Sequence, residues 1–98
     1  LPESTGVTKR RLALVLRQMP GYGDYLVCGI SSQLRQYVPG FDELLNPDQT
    51  NRLRVASVAR LGFLNTVAAT QIVGAIGRVT PTLHADLLQR LATHLTTP

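Results

Sequence analysis

The sequence has one cysteine, one methionine and no tryptophan among its 98 residues. A single cysteine, Cys28, cannot form a disulfide within this chain or build a zinc site from several thiolates. Its neighbours Leu26 and Val27 are apolar, so we expect a buried thiol that acts as a small hydrophobic side chain. This cysteine usage favours a reducing compartment, and we predict a cytoplasmic protein.

Long hydrophobic runs are also missing. The longest uncharged stretch, residues 61–77, contains four polar side chains and three glycines, which is too polar and too short for a membrane span of about 20 apolar residues. Residues 1–6 lack the apolar core of a signal peptide, and we expect no contact with a membrane. The hydrophobic fraction of 44% and the chain length together predict one folded domain over residues 1–98.

Side chains that bind metals or drive nucleotide chemistry are scarce. The chain has six acidic residues and two histidines, and it contains no His-Glu-x-x-His, Gly-x-Ser-x-Gly or phosphate-loop motif. His84 and His94 lie on different faces of the expected C-terminal helix, which excludes a metal site shared at i,i+4 spacing. We interpret both as surface histidines and expect no metal and no cofactor.

Positive charge is the feature that the sequence has in excess. Ten basic residues oppose six acidic ones, which gives a net charge of +4 and a pI near 10.0. All but Lys9 are arginines, and the guanidinium fork matches phosphate oxygens, so the composition suits a polyanionic partner such as nucleic acid. An arginine-rich proteome encoded by a GC-rich genome explains the composition equally well.

The first half of the chain predicts a β-hairpin. Residues 11–18 form an apolar run between charged or polar ends, as expected for a buried strand. Residues 19–24 are rich in turn formers and residues 25–30 are a second β-rich run, so the two runs should pair across the turn. Residues 31–40 and 42–49 are polar and rich in turn-forming residues, which favours exposed loops.

The second half predicts further strands. Residues 54–61 and 64–67 are β-rich, and Gly62 between them indicates a bulge or a kink. The next stretch is ambiguous between helix and strand, but its two glycines disfavour a helix, and we expect a short strand at 75–79.

The end of the chain predicts an amphipathic helix. Thr80 is a suitable N-cap and Pro81 suits the first helical position. Leucines follow at helical spacing, at positions 83, 87, 88, 91 and 95. The sequence therefore predicts an α+β fold, mainly β, in which a curled antiparallel sheet packs against a C-terminal helix.

Four segments occur in the order typical of a known family. They are Lys-Arg-Arg-Leu-Ala-Leu-Val-Leu at 9–16, Tyr-Leu-Val-Cys-Gly-Ile-Ser-Ser-Gln at 25–33, Ser-Val-Ala-Arg-Leu at 57–61 and Ile-Gly-Arg-Val-Thr at 76–80. Together they resemble the MazF/PemK family of toxin endoribonucleases from type II toxin-antitoxin systems. The resemblance implies an SH3-like barrel of the MazF/PemK/CcdB kind, a homodimer, and a cognate antitoxin whose acidic segment lies over an RNA groove.

The resemblance also implies roles for particular residues. Arg11 and Ser31 match the arginine and the hydroxyl residue that act on the scissile phosphate in the family, so they are the expected catalytic pair. The other positions expected to bind RNA are Arg10, Ser32, Gln33, Arg35 and Arg60. Cleavage without a metal uses the ribose 2′-OH as nucleophile, so the expected substrate is single-stranded RNA and not DNA. The loop aromatics Tyr22, Tyr37 and Phe41 are either base-stacking residues or core and dimer residues.

The chain departs from the family pattern at several positions. Leu12 replaces a common proline, and Ser31 stands where threonine is commoner. Gly62 stands where many members have an aspartate, which leaves the general base unassigned. Members begin with a further strand, upstream of the segment that corresponds to residues 1–3, and this sequence does not supply it. Either the chain starts late or the barrel lacks its first strand, and a missing strand would expose a sheet edge.

These departures leave other hypotheses open. The same fold would suit a catalytically inactive relative that binds RNA or the antitoxin. A gyrase-directed toxin such as CcdB is less well supported, because its C-terminal motif does not occur in this sequence. A domain that binds proline-rich ligands is disfavoured because its groove would have to be built without tryptophan.

Overall fold

In a computed structural model that describes residues 10–98, the chain forms four antiparallel strands and one helix. The strands are β1 (Ala13–Gln18), β2 (Tyr25–Ser31), β3 (Glu43–Leu45) and β4 (Ser57–Val67), and the helix is α1 (Pro81–Thr96). Short 3-10 turns occupy Leu34–Gln36 and Ala69–Gln71. The strand order is β1-β2-β4-β3, and the sheet curls into a half-barrel. The predicted α+β, mainly β, fold of the MazF/PemK kind is confirmed.

The predictions for the N-terminal segment are not tested. Lys9 lies outside the described residues, and so do residues 1–3, to which the expectation of a missing first strand refers. The assignment of residues 1–98 to one domain also stays a prediction.

The β1–β2 hairpin is formed as predicted. Gly21 and Gly23 have φ angles of 90° and 75°, which only glycine adopts without strain, and they let the chain reverse. The amide of Met19 donates to the carbonyl of Asp24 at 2.7 Å and closes the loop. Ala13 then pairs with Gly29, so the two strands run antiparallel over their length.

The two strands predicted at 54–61 and 64–67 are one continuous strand, β4. The predicted bulge at Gly62 is present, because the partners of β2 jump from Arg60 opposite Gly29 to Leu64 opposite Cys28. The extra residues bend β4 without ending it, and bending is how a long strand curls a sheet. The sequence suggested two separate strands because a glycine inside a strand weakens it, and its long-range partners are not visible in the sequence.

Two other sequence interpretations are wrong. Residues 43–45, interpreted as part of a loop, form β3 and pair with the start of β4, because Leu45 is buried in the core. Residues 75–79, predicted as a strand, have no regular structure. The amide of Arg78 donates to the carbonyl of Thr50 at 3.0 Å, a single contact that does not continue into a ladder.

Helix α1 begins and packs as the sequence indicates. The hydroxyl of Thr80 accepts the amide of Leu83 at 3.2 Å, which caps the first turn. Leu87 and Leu91 are buried and pack in one cluster with strand side chains that include Cys28. The buried thiol is thus confirmed, whereas Leu95, the last of the leucines at helical spacing, is 68% exposed and does not pack against the sheet. No helix within residues 10–98 is long and apolar enough to cross a membrane.

A buried carboxylate holds the loop before β3 against β4. Asp42 is 4% exposed, and its two oxygens accept the amides of Val38 and Leu61, each at 3.0 Å. Arg90 of α1 donates to the carbonyls of Phe41 and Asp42, at 3.0 and 3.2 Å. These contacts join the helix, the loop and the long strand at one point.

Arg90 also forms the ion pairs of this region. Its guanidinium donates to Asp86 at 2.7 Å and to Glu43 at 3.0 Å. Partial burial acts to lower the pKa of Arg90, but the hydrogen bonds to these two carboxylates raise it above its ordinary value. The acidic side chains of this face are therefore neutralised locally.

We expect Asp42→Ala to lower the free energy of unfolding by about 2 to 4 kcal/mol, because two buried amides lose their acceptor. Asp42→Asn, which keeps one oxygen, should cost less. Urea denaturation followed by circular dichroism measures both. Asp24→Ala is the control, since the Asp24 side chain makes no hydrogen bond with another described residue. Equal effects of Asp42→Ala and Asp24→Ala would contradict the assignment.

Burial raises the pKa of the Cys28 thiol to about 11, from an ordinary value of about 9. Between these two values the unfolded chain ionises its thiol and the folded chain does not, so the stability should fall as the pH rises through this range. Unfolding midpoints in urea across this pH range measure the loss. Cys28→Ala should show a smaller loss over the same range, and an equal loss in both proteins would refute the burial argument.

Candidate nucleic-acid interface

The alternation of side chains along the strands separates the sheet into two faces. Leu14, Cys28 and Ala59 belong to one face, where the core and α1 lie. The immediate neighbours of these residues belong to the other face, namely Ala13, Gly29 and Arg60. An open groove of about 1250 Å³ lies there, and its lining includes all three.

The two residues predicted to be catalytic both line this groove. Ala13 pairs with Gly29, and the amide of Ile30 donates to the carbonyl of Leu12 at 3.2 Å. Arg11 lies two residues before β1 and Ser31 is the last residue of β2, so the antiparallel hairpin brings both to the same end of the sheet. Both residues line the groove, Arg11 exposed and Ser31 half-buried.

The hydroxyl of Ser31 is held in a fixed position. Ser31 is the last residue of β2, and its Oγ accepts the amide of Gln33 at 3.0 Å in a tight bend. A hydroxyl that accepts one bond in this way keeps its own hydrogen for donation. Ser32 and Gln33 follow in the same bend and also line the groove. The arrangement can present a hydrogen-bond donor to an anionic ligand.

An aromatic ring and a guanidinium are stacked on the floor of the groove. The Arg60 Cζ atom lies 5.2 Å from the centroid of the Phe63 ring, within the range of a cation–π contact. The ring lies directly over Gly29, where a Cβ would overlap it. Phe63 remains 56% exposed, so part of its face is open to the groove.

A hydrogen-bonded loop positions two more arginines in the groove. The carboxylate of Asp48 accepts the amides of Thr50 and Asn51 at 2.8 and 2.6 Å, and the side-chain oxygen of Asn51 accepts the amide of Leu53 at 2.9 Å. Leu53 points into the core, so its neighbours Arg52 and Arg54 point outward and line the groove. Arg52 adopts a φ of 57°, a conformation that costs energy in arginine and that the surrounding bonds maintain.

The groove carries charge of one sign. Five arginines line it, namely Arg10, Arg11, Arg52, Arg54 and Arg60, and its described lining contains no aspartate, glutamate or histidine. Polar groups come from three serines, two glutamines and an asparagine. Within residues 10–98, no three His, Cys, Asp or Glu side chains are grouped so that they could hold a metal ion. A concave surface of this charge attracts polyanions.

Most of the residues singled out in the sequence lie together. Arg10, Arg11, Ser31, Ser32, Gln33 and Arg60 all line the groove. Arg35 is exposed on the 3-10 turn Leu34–Gln36 and is not part of the lining. Gly62 does not line the groove either. The roles assigned to these residues stay predictions.

The aromatic residues suggested for base stacking lie elsewhere. Tyr22 is 96% exposed at the hairpin turn, and neither Tyr22 nor Tyr37 lines the groove. Phe41 packs against the core, with its ring centroid 4.8 Å from that of His94. The groove contains Phe63 instead, which the sequence interpretation missed because it follows the glycine taken to separate two strands.

Arg52 and Arg54 were also missed. The Arg-Leu-Arg alternation at 52–54, preceded by the turn-forming Asp48 and Asn51, is the signal from which they could have been found. The predicted strand began at Arg54 and the predicted loop ended at residue 49, so residues 50–53 were assigned to neither and the alternation was missed.

Comparison with known proteins gives one family. The sequence profile described as PemK-like, MazF-like toxin of type II toxin-antitoxin system matches residues 2–95, nearly the whole chain. No curated protein matches the sequence.

We expect Gly29→Ala to lower the free energy of unfolding by about 1 to 2 kcal/mol, because the new methyl group must displace the Phe63 ring. Gly74→Ala is the matched control, since a Cβ at position 74 meets no atom within 4 Å. Denaturant unfolding measures both.

The double variant Gly29→Ala/Phe63→Ala isolates the clash. Once the ring is removed, the cost of the alanine at position 29 should disappear, since the two changes are coupled through one contact. If the losses of unfolding free energy from the two substitutions simply add in the double variant, glycine is required at position 29 for another reason.

Proposed function

The chain belongs to the PemK-like, MazF-like toxins of type II toxin-antitoxin systems, and from this premise we propose that it is a metal-independent endoribonuclease. Its substrate is single-stranded RNA, mRNA above all, and cleavage inhibits growth. The observation that carries the proposal is that Arg11 and Ser31 line the same groove, together with four other arginines.

The proposed reaction is an internal transfer within the RNA backbone. The 2′-oxygen of a ribose attacks the adjacent phosphorus, a new bond from this oxygen to phosphorus forms, and the bond from phosphorus to the 5′-oxygen breaks. The 2′-OH gives up its proton to a base, and the departing 5′-oxygen takes up a proton. The products are a 2′,3′-cyclic phosphate and a free 5′-OH. No redox change and no outside reactant are needed.

Arg11 and Ser31 act on the charge that develops in this reaction. The pentacoordinate phosphorane carries more negative charge on its phosphoryl oxygens than the ground state does. The Arg11 guanidinium offers permanent positive charge and two parallel donors, and the Ser31 hydroxyl donates a further hydrogen bond. Because the amide of Gln33 already orients Ser31, little reorganisation is required at the moment of reaction.

The remaining groove residues bind the strand. Arg10, Arg54 and Arg60 hold phosphates near the scissile bond, with Ser32 and Gln33 as further donors. Phe63 offers the exposed part of its ring to a base, a contact that tolerates any sequence. Arg35 binds RNA only where the strand leaves the groove. DNA binds the same charges but is not cut, because it has no 2′-OH.

As a member of this family, the protein has an antitoxin as its partner. We propose that an acidic antitoxin segment occupies the arginine groove and so competes with RNA, because both ligands neutralise the same charges.

We propose in addition that the active form is a cytoplasmic homodimer. The exposed apolar side chains of Ile72 and Val73, which follow β4, support a protein partner on that side of the molecule.

One observation favours a second candidate function. The described lining of the groove contains no carboxylate or imidazole to accept the proton of the 2′-OH. A relative of the family that binds RNA or antitoxin without cutting would need the arginines but no base. RNA binding in a gel shift, with no product bands after long incubation, would establish this alternative.

We expect the purified protein to cut single-stranded RNA in the presence of EDTA and to leave DNA of the same sequence intact. Arg11→Ala should lower kcat by about 10²- to 10³-fold, as removal of one transition-state donor does in other enzymes. Ser31→Ala should lower kcat and Ser31→Thr should retain activity, since the hydroxyl is kept. Gel analysis of a labelled RNA measures all of these.

Arg17→Ala is the control for loss of charge. Arg17 is exposed on β1 and does not line the groove, so this variant should keep its kcat. Undiminished cleavage by Arg11→Ala, or equal losses in Arg11→Ala and Arg17→Ala, would refute the assignment of Arg11.

A further inference from the structure

A second cavity of about 560 Å³ adjoins the groove and continues its arginine lining. Arg52, Ala75 and Ile76 line both spaces. We propose that this cavity is an additional phosphodiester site, formed by Arg52 and Arg78, for the part of a single-stranded RNA that extends beyond the groove. The inference rests on the proposed function, because it concerns the same strand.

The cavity is built between two chain segments that are fastened together. The amide of Arg78 donates to the carbonyl of Thr50 at 3.0 Å. One residue earlier, Gly77 lies so close to the carbonyl of Asn51 that a Cβ would overlap it. The close approach therefore requires glycine, and it fixes the backbone that carries Arg78 against the loop that carries Arg52.

Arg52 is positioned by the second of these segments, the loop of residues 48–53. Its amide donates to the carbonyl of Asp48 at 2.9 Å, and its left-handed φ of 57° turns the backbone at this residue. The network of Asp48 and Asn51 maintains that conformation without using the guanidinium, which is exposed. Two guanidinium groups thus reach one cavity from backbones that are already ordered, so binding a phosphate orders little more than the side chains.

The chemistry of the lining fits a sugar-phosphate backbone. Gln49 and Thr50 add an amide and a hydroxyl to the two arginines, and the described lining contains no carboxylate. Such groups contact phosphate and ribose oxygens without reading the base. Continuity with the groove through Arg52 favours the same RNA strand, because its phosphates recur at every nucleotide and can follow a row of arginines from one cavity to the next.

The experiment compares RNA length. Fluorescence anisotropy with 2′-O-methyl oligonucleotides of about six and about twelve nucleotides, which resist cleavage, gives Kd for a strand confined to the groove and for one that extends beyond it. We expect Arg78→Gln to weaken binding of the longer strand by about three- to tenfold and to leave the shorter strand unchanged. The slope of log Kd against log salt should fall by about 0.7 for the longer strand only.

Arg17→Gln is the matched control, because it removes the same charge from a position that lines neither cavity. Arg78→Lys should recover part of the lost affinity, since it restores the charge without the guanidinium fork. An equal effect of Arg78→Gln on both strands, or no effect on either, overturns the proposal.

Two further results separate this inference from its alternatives. If Arg78→Gln leaves RNA binding intact but weakens binding of an oligoglutamate peptide, the cavity belongs to an acidic protein segment and the proposal is wrong. If the wild-type protein binds the twelve-nucleotide strand but cuts no RNA, the proposed nuclease fails while the phosphodiester site stands. If neither oligonucleotide binds, the proposed nuclease and the phosphodiester site are both overturned.

Discussion

The antiparallel register of β1 and β2 is the constraint on which the site depends. Because side chains alternate along a strand, the pairing of Ala13 with Gly29 decides which residues face the core and which face the groove. A slip of one residue in β2 would move Ser31 off the groove face and expose Cys28. The buried side chains oppose such a slip, so the hydrophobic core that stabilises the sheet also sets the geometry of the site.

Charge is segregated between the two sides of the sheet. On the helix side, Asp86 and Glu43 pair with Arg90, and Asp42 is satisfied by backbone amides. On the other side, five arginines line a groove whose described lining contains no acidic residue. Clustered like charges repel, and the exposure of these side chains to water limits that cost. The segregation leaves an uncompensated positive surface, which a polyanion can neutralise.

Close approach of the backbone at two glycines organises this surface. The Phe63 ring occupies the place that a side chain at Gly29 would fill, and from there it supports Arg60. Near the second cavity, Gly77 admits the carbonyl of Asn51. Both contacts are between residues far apart in the sequence. The arginines are therefore placed by packing and backbone bonds, while their charged ends remain available to a ligand.

The local signals in the sequence were sufficient where one short-range rule decides the structure. The turn glycines and the apolar runs determined the first hairpin, and Thr80, Pro81 and the spaced leucines determined the helix. The order of the short segments pointed to the family and hence to Arg11 and Ser31. Local signals failed at β3 and at the continuity of β4, because long-range pairing outweighs intrinsic preference there. They failed at residues 75–79 because this β-rich segment makes only a single backbone hydrogen bond, from Arg78 to Thr50, and no ladder.

The sequence by itself thus determined the class of fold, the family and the excess of positive charge. Only the tertiary structure decided which charges share a groove. Arg35 and Arg52 are indistinguishable as exposed arginines in polar segments, yet Arg52 enters the groove and Arg35 does not. The difference comes from the register of the sheet and from the 48–53 loop, whose Leu53 packs in the core and whose Thr50 accepts the amide of Arg78. These are contacts between residues distant in the chain.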